Sequence, residues 1–120
     1  MAKRSFSMLA CVMALVGCGD DTGETVPVDC STVKPFSELG QAFSKCTTCH
    51  TSSLTDLTSR QSAPLEYNYD TYEEAIKFPA KLVATLQADA EFPMPPAEDP
   101  QLTEAEKTDL LTWAECDTPQ

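Results

Sequence analysis

The sequence predicts an all-α domain of short helices joined by long loops. Apolar residues recur at three- and four-residue intervals in several short segments, and prolines separate these segments. No alternating apolar–polar run of convincing length appears in the chain. A domain of this size buries only about 60% of the surface of its unfolded chain. So few short helices therefore suggest that something other than side chains helps to fill the core.

The first predicted helix begins near Pro35, a residue suited to a first helical turn. It ends at about Cys46. Its apolar face repeats at helical spacing through Phe36, Leu39, Gly40 and Phe43. The residues that follow, 52–68, are polar and irregular and predict a loop.

Two further helices are predicted on either side of Pro79. Asp70 followed by Glu73 is typical of a helix N-terminus. The second helix then runs until Pro79 interrupts its pattern, and the third continues to about Ala88. The apolar faces are formed by Tyr72, Ala75 and Ile76 in the second helix and by Leu82, Val83 and Leu86 in the third.

The last helix has the clearest start signal. Residues 92–100 include four prolines and predict no regular helix. Thr103 and Glu106 then have the spacing of a capping box. The apolar face of the helix is formed by Leu110, Leu111, Trp113 and Ala114.

The charge balance limits the kind of partner. The chain has 120 residues, with 8 basic and 19 acidic side chains and a formal net charge of −11. Nucleic-acid binding needs a basic surface, so this acidic chain predicts no nucleic-acid partner. Basic protein partners remain open.

The N-terminal residues are typical of an export signal. Lys3 and Arg4 precede an apolar run of about a dozen residues, well short of the roughly 20 that a helix needs to cross a bilayer. The run ends in Leu-Val-Gly-Cys, which resembles the lipobox of bacterial lipoproteins, in which the cysteine, here Cys18, is lipidated. An ordinary signal peptide that contains a cysteine is the alternative.

These features divide the chain into three parts. Residues 1–17 are the predicted lipoprotein signal peptide, and residues 18–29 form an acidic flexible tether that starts at Cys18. Residues 30–120 form the folded domain. The prediction is an exported, lipid-anchored protein on the periplasmic side of a bacterial membrane, with the inner and the outer membrane both open.

The strongest motif is the run Cys46-Thr-Thr-Cys49-His50. A C-x-x-C-H run places two thiols where they can bond to one haem and places the adjacent imidazole beneath the iron. His50 is the only histidine in the chain. The motif therefore predicts one covalent haem c held by Cys46 and Cys49, with His50 as an axial ligand.

Three other uses of these residues are open from the sequence. A thioredoxin-like dithiol would follow a strand, and none is predicted. Structural zinc would need a fourth ligand beside Cys46, Cys49 and His50, for which Cys30 or Cys116 is the candidate. A plain disulfide between Cys46 and Cys49 is the third alternative.

The candidate for the sixth position of the iron is Met94. It is the only methionine once residues 1–17 are removed, and prolines flank it on both sides. A thioether is a weak ligand, so iron keeps it only when the loop is stiff, and prolines stiffen the backbone. The alternatives are a core-filling or surface methionine in a proline-rich loop and a sixth site that is vacant, water-bound or lysine-bound, with Lys77 and Lys81 the nearest lysines.

The chain resembles the small monohaem c-type cytochromes, especially exported bacterial ones. Residues 46–50, 93–96 and 102–113 carry this resemblance. It implies a cytochrome c-like fold in which the first and last helices cross with the haem between them. Phe36, Gly40 and Phe43 would then meet Leu110, Trp113 and Ala114, with Gly40 permitting close approach.

The resemblance also implies two long-range contacts. The Pro64 carbonyl is expected to accept the proton on the second ring nitrogen of His50. If the first and last helices cross, Cys30 and Cys116 come within disulfide range in an oxidising compartment, although such a bond departs from the plainest members of the family. Arg60 has two interpretations, a partner for a haem propionate and a solvated surface residue.

Together these features predict an electron-transfer protein and not an enzyme. Histidine–methionine ligation leaves no open site for oxygen or peroxide, and no second histidine is present to act as acid or base. The expected partner is a redox protein with a basic docking face. The alternatives are a haem-based sensor with a labile sixth ligand and a non-haem structural lipoprotein stapled by a disulfide.

Overall fold

The structure is a computed structural model and describes residues 28–120. This part of the chain contains four α-helices and two short 3₁₀ helices. The 3₁₀ helices are Cys30–Thr32 and Phe36–Glu38, and the α-helices are α1 (Gly40–Thr47), α2 (Tyr72–Ala75), α3 (Pro79–Leu86) and α4 (Glu104–Glu115). Residues 28–120 contain no strand, so the all-α prediction is confirmed. The predicted signal segment and Cys18 lie outside the described residues. Among the helices described, none is long and apolar enough to cross a membrane.

The first predicted helix is two helices. Leu39 has φ −96° and ψ 9°, outside the α-helical region, and it separates the 3₁₀ turn Phe36–Glu38 from α1. The Leu39 side chain is buried, and Phe36 packs against the same core. The break therefore keeps two large apolar residues on the core side of a short segment.

The helices on either side of Pro79 are shorter than predicted, because α2 ends at Ala75, well before Pro79, and α3 ends at Leu86, before Ala88. The N-cap of α2 is Thr71, whose hydroxyl accepts a hydrogen bond from the Glu74 N–H at 3.3 Å, and not Asp70. Asp70 instead accepts hydrogen bonds from the Ser52 backbone and hydroxyl, at 3.1 and 2.6 Å. Pro79 occupies the first turn of α3, where its missing N–H costs nothing.

The start of α4 agrees with the sequence. The Thr103 hydroxyl accepts from the Glu106 N–H at 3.2 Å, and the Glu106 carboxylate accepts from the Thr103 N–H at 2.7 Å. The capping box is therefore confirmed. Residues 92–100, which precede it, contain no helix, as their prolines predict.

The core lies where α4 packs against α1 and α3. Trp113 and Leu110 of α4 are fully buried. The Trp113 ring meets Phe43 edge-on at a centroid distance of 5.3 Å and lies 6.0 Å from Phe36. The predicted role of Gly40 is wrong, because Gly40 is exposed and a Cβ built there has no atom within 4 Å.

A disulfide joins the two ends of the domain. Cys30 and Cys116 are bonded, with their Cα atoms 5.5 Å apart, so the predicted pairing is confirmed. Cys30 begins the first 3₁₀ helix, and Cys116 is the C-cap of α4. The bond therefore links the first described helical segment to the last one.

Candidate functional site

One cavity brings together the four residues that the sequence singles out for a haem. Its volume is about 710 Å³, within the range of roughly 300–1,000 Å³ typical of small-molecule and cofactor sites. Its lining includes Cys46, Cys49, His50 and Met94. The remaining lining residues come mainly from α3, from the loop at 60–69 and from residues 91–99.

The C-terminal end of α1 positions three of these four side chains. Cys46 lies in the last turn of the helix, and its carbonyl accepts hydrogen bonds from the N–H groups of Cys49 and His50 at 3.2 and 2.9 Å. The motif is therefore a helical end followed by a tight turn. This turn places the imidazole and both thiols on the same cavity.

Both motif thiols are free, and both are held in the neutral form. Burial raises the pKa of Cys46 to about 12. Burial and the charge of Asp99 raise the pKa of Cys49, although the charge of Arg60 opposes this. Because a reactive or metal-binding cysteine needs a low pKa, these surroundings do not favour a dithiol redox centre.

Among the described residues, the structure leaves no cysteine to serve as the fourth ligand of a zinc ion at the motif. That hypothesis depended on Cys30 or Cys116, and the two are bonded to each other. Within residues 28–120 no three His, Cys, Asp or Glu side chains are grouped so that they could hold a metal ion. The Cys46–Cys49 disulfide alternative is wrong as well, because both residues are thiols in the structure.

His50 is oriented by a backbone carbonyl, but not by the one predicted. Its Nδ1 lies 2.9 Å from the carbonyl oxygen of Tyr67, whereas the Pro64 carbonyl accepts from Arg60 instead. Burial and the nearby Arg60 charge lower the pKa of His50, while the Tyr67 hydrogen bond opposes the shift. The imidazole is therefore neutral near pH 7, with its proton on Nδ1 and a lone pair available on Nε2.

The ring of His50 is held from a second side by Tyr69. The two rings meet edge-on with centroids 5.5 Å apart, and the Tyr69 N–H donates to the His50 carbonyl at 2.9 Å. Burial raises the pKa of the Tyr69 phenol well above its usual range, so that side chain stays neutral. Tyr69 thus packs the imidazole against the core without adding charge.

Arg60 is the candidate site residue whose surroundings the sequence predicted least accurately. Its side chain has no exposed surface, so the solvated interpretation is wrong. Its guanidinium makes six hydrogen bonds, to the Asn68 side chain and to five backbone carbonyls, those of Thr51, Leu54, Ala63, Pro64 and Tyr67. All N–H groups are therefore engaged within the protein, which leaves none for a propionate.

The segment that carries Met94 is tied down at several points. The Met94 N–H donates to the Thr85 carbonyl on α3 at 3.1 Å. The Gln101 side-chain amide donates to the carbonyls of Pro96 and Asp99, at 2.6 and 2.9 Å, with a longer contact of 3.5 Å to Pro95. No sequence pattern pointed to Gln101, since an exposed glutamine near a helix start carries no recognisable signal.

A short chain of polar contacts connects the motif helix to this segment. Lys45, one residue before Cys46, donates to the Glu106 carboxylate at 2.6 Å and to the Gln101 carbonyl at 2.9 Å. Glu106 also closes the capping box of α4. The end of α1, the start of α4 and the Met94 segment are therefore linked by Lys45, Glu106 and Gln101, which we name the polar link.

The two lysines considered as alternatives to Met94 lie in different places. Lys81 lines the cavity, and its ammonium lies 5.7 Å from the centre of the Tyr67 ring. Lys77 is paired with Glu74 and does not line the cavity. Of the two, Lys81 alone shares the cavity with His50.

Comparison with known proteins gives no match: neither a family model, nor a curated protein, nor a solved structure matches this chain.

Proposed function

We propose that the protein is a single-electron carrier that holds one covalently attached c-type haem, with His50 and Met94 as the axial ligands of the iron. The observation that carries the proposal is one cavity of about 710 Å³ lined by two free thiols, one imidazole and one thioether. Haem of the c type takes this set of donors. When bound, its iron supplies a couple that gains and loses one electron.

The donors fit their proposed tasks individually. Cys46 and Cys49 would hold the haem through thioether bonds, and neither thiol is used in a disulfide or a metal cluster. His50 has its Nδ1–H directed to the Tyr67 carbonyl, so the lone pair needed for an axial ligand lies on Nε2. The Tyr67 carbonyl therefore orients the imidazole for this task.

Met94 fits the second axial position because its backbone is restrained. A thioether binds iron weakly, so the ligand is kept only if losing it gains little freedom. The hydrogen bond to Thr85 holds the backbone of Met94 itself, and the contacts of Gln101 hold the residues that follow it. These contacts support Met94 over a mobile surface methionine.

The fold that we propose is cytochrome c-like. The contact of α1 with α4, centred on Phe43 and Trp113, and the motif at the end of α1 support this assignment. In this proposal the chain transfers electrons and catalyses no reaction, because its single histidine is committed to the iron.

The proposed cellular location and the proposed redox partner are based on the sequence. Lipidation of Cys18 would anchor the protein on the periplasmic side of a bacterial membrane, with residues 18–29 as a tether. A short tether keeps the domain at high effective concentration near a membrane-bound partner. The acidic chain predicts a redox partner with a basic docking face and an association rate that falls with salt.

The deciding experiment compares visible spectra of the oxidised and the dithionite-reduced protein. The full chain is co-expressed with cytochrome c maturation proteins as wild type, Met94→Ala and Glu98→Ala. We expect covalent haem in all three proteins, with sharp reduced α and β bands in the wild type and in Glu98→Ala but not in Met94→Ala. The weak ferric sulfur–iron band should be lost in Met94→Ala alone, because Glu98 is an exposed residue of the same segment.

The other outcomes decide between the alternatives. A haem spectrum that does not respond to Met94→Ala, together with carbon monoxide binding to the reduced wild type at neutral pH, would favour a haem-based sensor. Absence of covalent haem from the wild type would favour a structural lipoprotein. Membrane fractionation of a Cys18→Ala variant tests the lipid anchor. Without lipidation, the variant protein should appear in the soluble fraction, and its haem content should be unchanged.

A further inference from the structure

A buried positive charge lies one hydrogen-bond acceptor away from the proposed haem ligand. The carbonyl oxygen of Tyr67 is 2.9 Å from Nδ1 of His50 and 2.9 Å from Nη2 of Arg60. The Arg60 side chain is fully buried, and no carboxylate among residues 28–120 forms an ion pair with it. The charge is thus compensated only by carbonyl and amide dipoles.

We propose that Arg60 is a positioning residue that raises the reduction potential of the centre, acting on His50 through the Tyr67 carbonyl and through its own buried charge. This inference rests on the proposed haem-binding function, because a potential exists only in the loaded protein. It assigns a functional task to a side chain that makes no contact with solvent.

The first effect is electrostatic. Reduction adds one electron to the centre, and a positive charge nearby stabilises the added negative charge. A surface cation would be screened by water and salt, but Arg60 is shielded from both by the loop that wraps it. The field of Arg60 therefore favours the reduced state.

The second effect acts through the shared acceptor. A histidine ligand that donates a strong hydrogen bond from its second nitrogen becomes a more basic ligand, and a more basic ligand favours ferric iron. Arg60 competes for the same carbonyl and draws its electron density away from the Nδ1–H bond. The bond to His50 is weaker as a result, which also favours the reduced state.

The surroundings show why this position needs an arginine. The five N–H groups of a guanidinium can reach carbonyls on both sides of the loop, whereas an ammonium has three donors around one point. Asn68 accepts from Arg60 Nη1 at 2.9 Å, and its own amide donates to the Leu65 carbonyl at 3.0 Å. The guanidinium is thereby fixed in the plane that reaches Tyr67.

The test measures the midpoint potential of haem-loaded protein by titration with dithionite and a mediator. The variants are Arg60→Gln, which removes the charge, and Arg60→Lys, which keeps it. The control is Lys107→Gln, which removes one positive charge from α4, distant in sequence from the loop. We expect Arg60→Gln to shift the equilibrium toward the oxidised state by about tenfold, a change of about 59 mV for one electron.

We expect the midpoint potential of Arg60→Lys to lie closer to that of the wild type than the potential of Arg60→Gln does. The potential of Lys107→Gln should stay near the wild-type value.

A second variant, Asn68→Asp, keeps Arg60 and places a carboxylate next to its guanidinium, so the midpoint potential should fall in this variant too. This variant decides the question if Arg60→Gln does not fold. In Arg60→Gln, the Nδ1–H proton resonance of His50 in the reduced protein should move downfield as its bond to Tyr67 strengthens.

Failure of this inference is separate from failure of the proposed function. A wild type without covalent haem contradicts the function. In loaded protein, equal potentials for wild type, Arg60→Gln and Asn68→Asp would overturn the role of Arg60. A shift in Lys107→Gln as large as that in Arg60→Gln would overturn it as well, since net charge alone would then be responsible.

Discussion

Cys30 and Cys116 are 86 residues apart in the sequence, and the disulfide between them holds their Cα atoms 5.5 Å apart. Hydrogen bonds also join the first described residues of the domain to its C-terminal end. The Phe36 N–H and the Trp113 indole N–H both donate to the Pro119 carbonyl, at 2.9 and 2.8 Å. The start of the domain is therefore fastened to its end by one covalent bond and a shared acceptor.

The first prediction concerns that covalent bond. Replacing both cysteines, in Cys30→Ser/Cys116→Ser, should lower the free energy of unfolding by up to about 4 kcal/mol, because the bond closes a long loop in the unfolded chain. Urea unfolding of haem-loaded protein, followed by Trp113 fluorescence and by far-ultraviolet circular dichroism, measures the change.

The control for this prediction is the wild type in the presence of a reductant, compared with the double variant in the same reductant so that the haem iron is reduced in both proteins. Since reduction opens the same loop without changing side chains, its stability should match that of the double variant. A double variant as stable as the oxidised wild type would contradict the prediction. So would a reduced wild type that keeps its full stability.

The part of the fold that sequence patterns predict is the local part. Thr103 and Glu106 are three residues apart, so their contacts follow from helical geometry alone, and the capping box is present. The break at Leu39 was not predicted, because it depends on how Leu39 and Phe36 pack against residues far away in sequence. For the same reason the supposed close approach at Gly40 is absent.

The second prediction concerns Trp113. Trp113→Phe removes buried ring volume and the hydrogen bond to the Pro119 carbonyl, and should cost about 2–3 kcal/mol of the free energy of unfolding. Tyr72→Phe is the matched control. It removes only the hydroxyl that donates to the Thr118 carbonyl at 3.0 Å, and should cost about 1 kcal/mol. Equal losses in thermal or urea unfolding would show that ring packing at Trp113 is unimportant.

The third prediction concerns stability in acid. The hydrogen bond from Lys45, with that from the Thr103 N–H, lowers the pKa of Glu106 below its ordinary value of 4.5. A carboxyl whose pKa is lower in the folded than in the unfolded state stabilises the fold at pH values above the unfolded pKa. This contribution is lost as the pH falls from about 4.5 through the lowered folded value.

Glu106→Gln isolates that contribution. Glutamine can still close the capping box, but it cannot form the ion pair with Lys45. The difference in stability between wild type and variant should be largest near pH 6 and should shrink below pH about 4. Glu104→Gln, in the same first turn of α4, is the control for removing one charge from the helix start, because Glu104 forms no ion pair in the described part of the chain. A constant difference for Glu106→Gln across this range would contradict the prediction.

The candidate site shows the same division between local and long-range information. Cys46, Cys49 and His50 share one turn, so their placement on one cavity follows from their spacing. The acceptor for His50 is a backbone carbonyl, which any residue type supplies, so sequence alone did not distinguish Tyr67 from Pro64. Burial of Arg60 depends on five carbonyls that converge only when the loop closes, and no local pattern encodes this.

The last prediction concerns Gln101 of the polar link. If Met94 is the sixth ligand, as proposed, Gln101→Ala in haem-loaded protein should let Met94 leave the iron more readily, because the carbonyls of Pro96 and Asp99 lose a shared donor. Exposed hydrogen bonds of this kind contribute about 0.5–1.5 kcal/mol, so imidazole should bind the ferric protein about three- to tenfold faster. Stopped-flow absorbance measures the rate. Glu98→Gln, an exposed change in the same segment, should leave the rate at the wild-type value. If imidazole binds Gln101→Ala no faster than the wild type, the proline-rich backbone and the Thr85 contact hold Met94 without the Gln101 side chain.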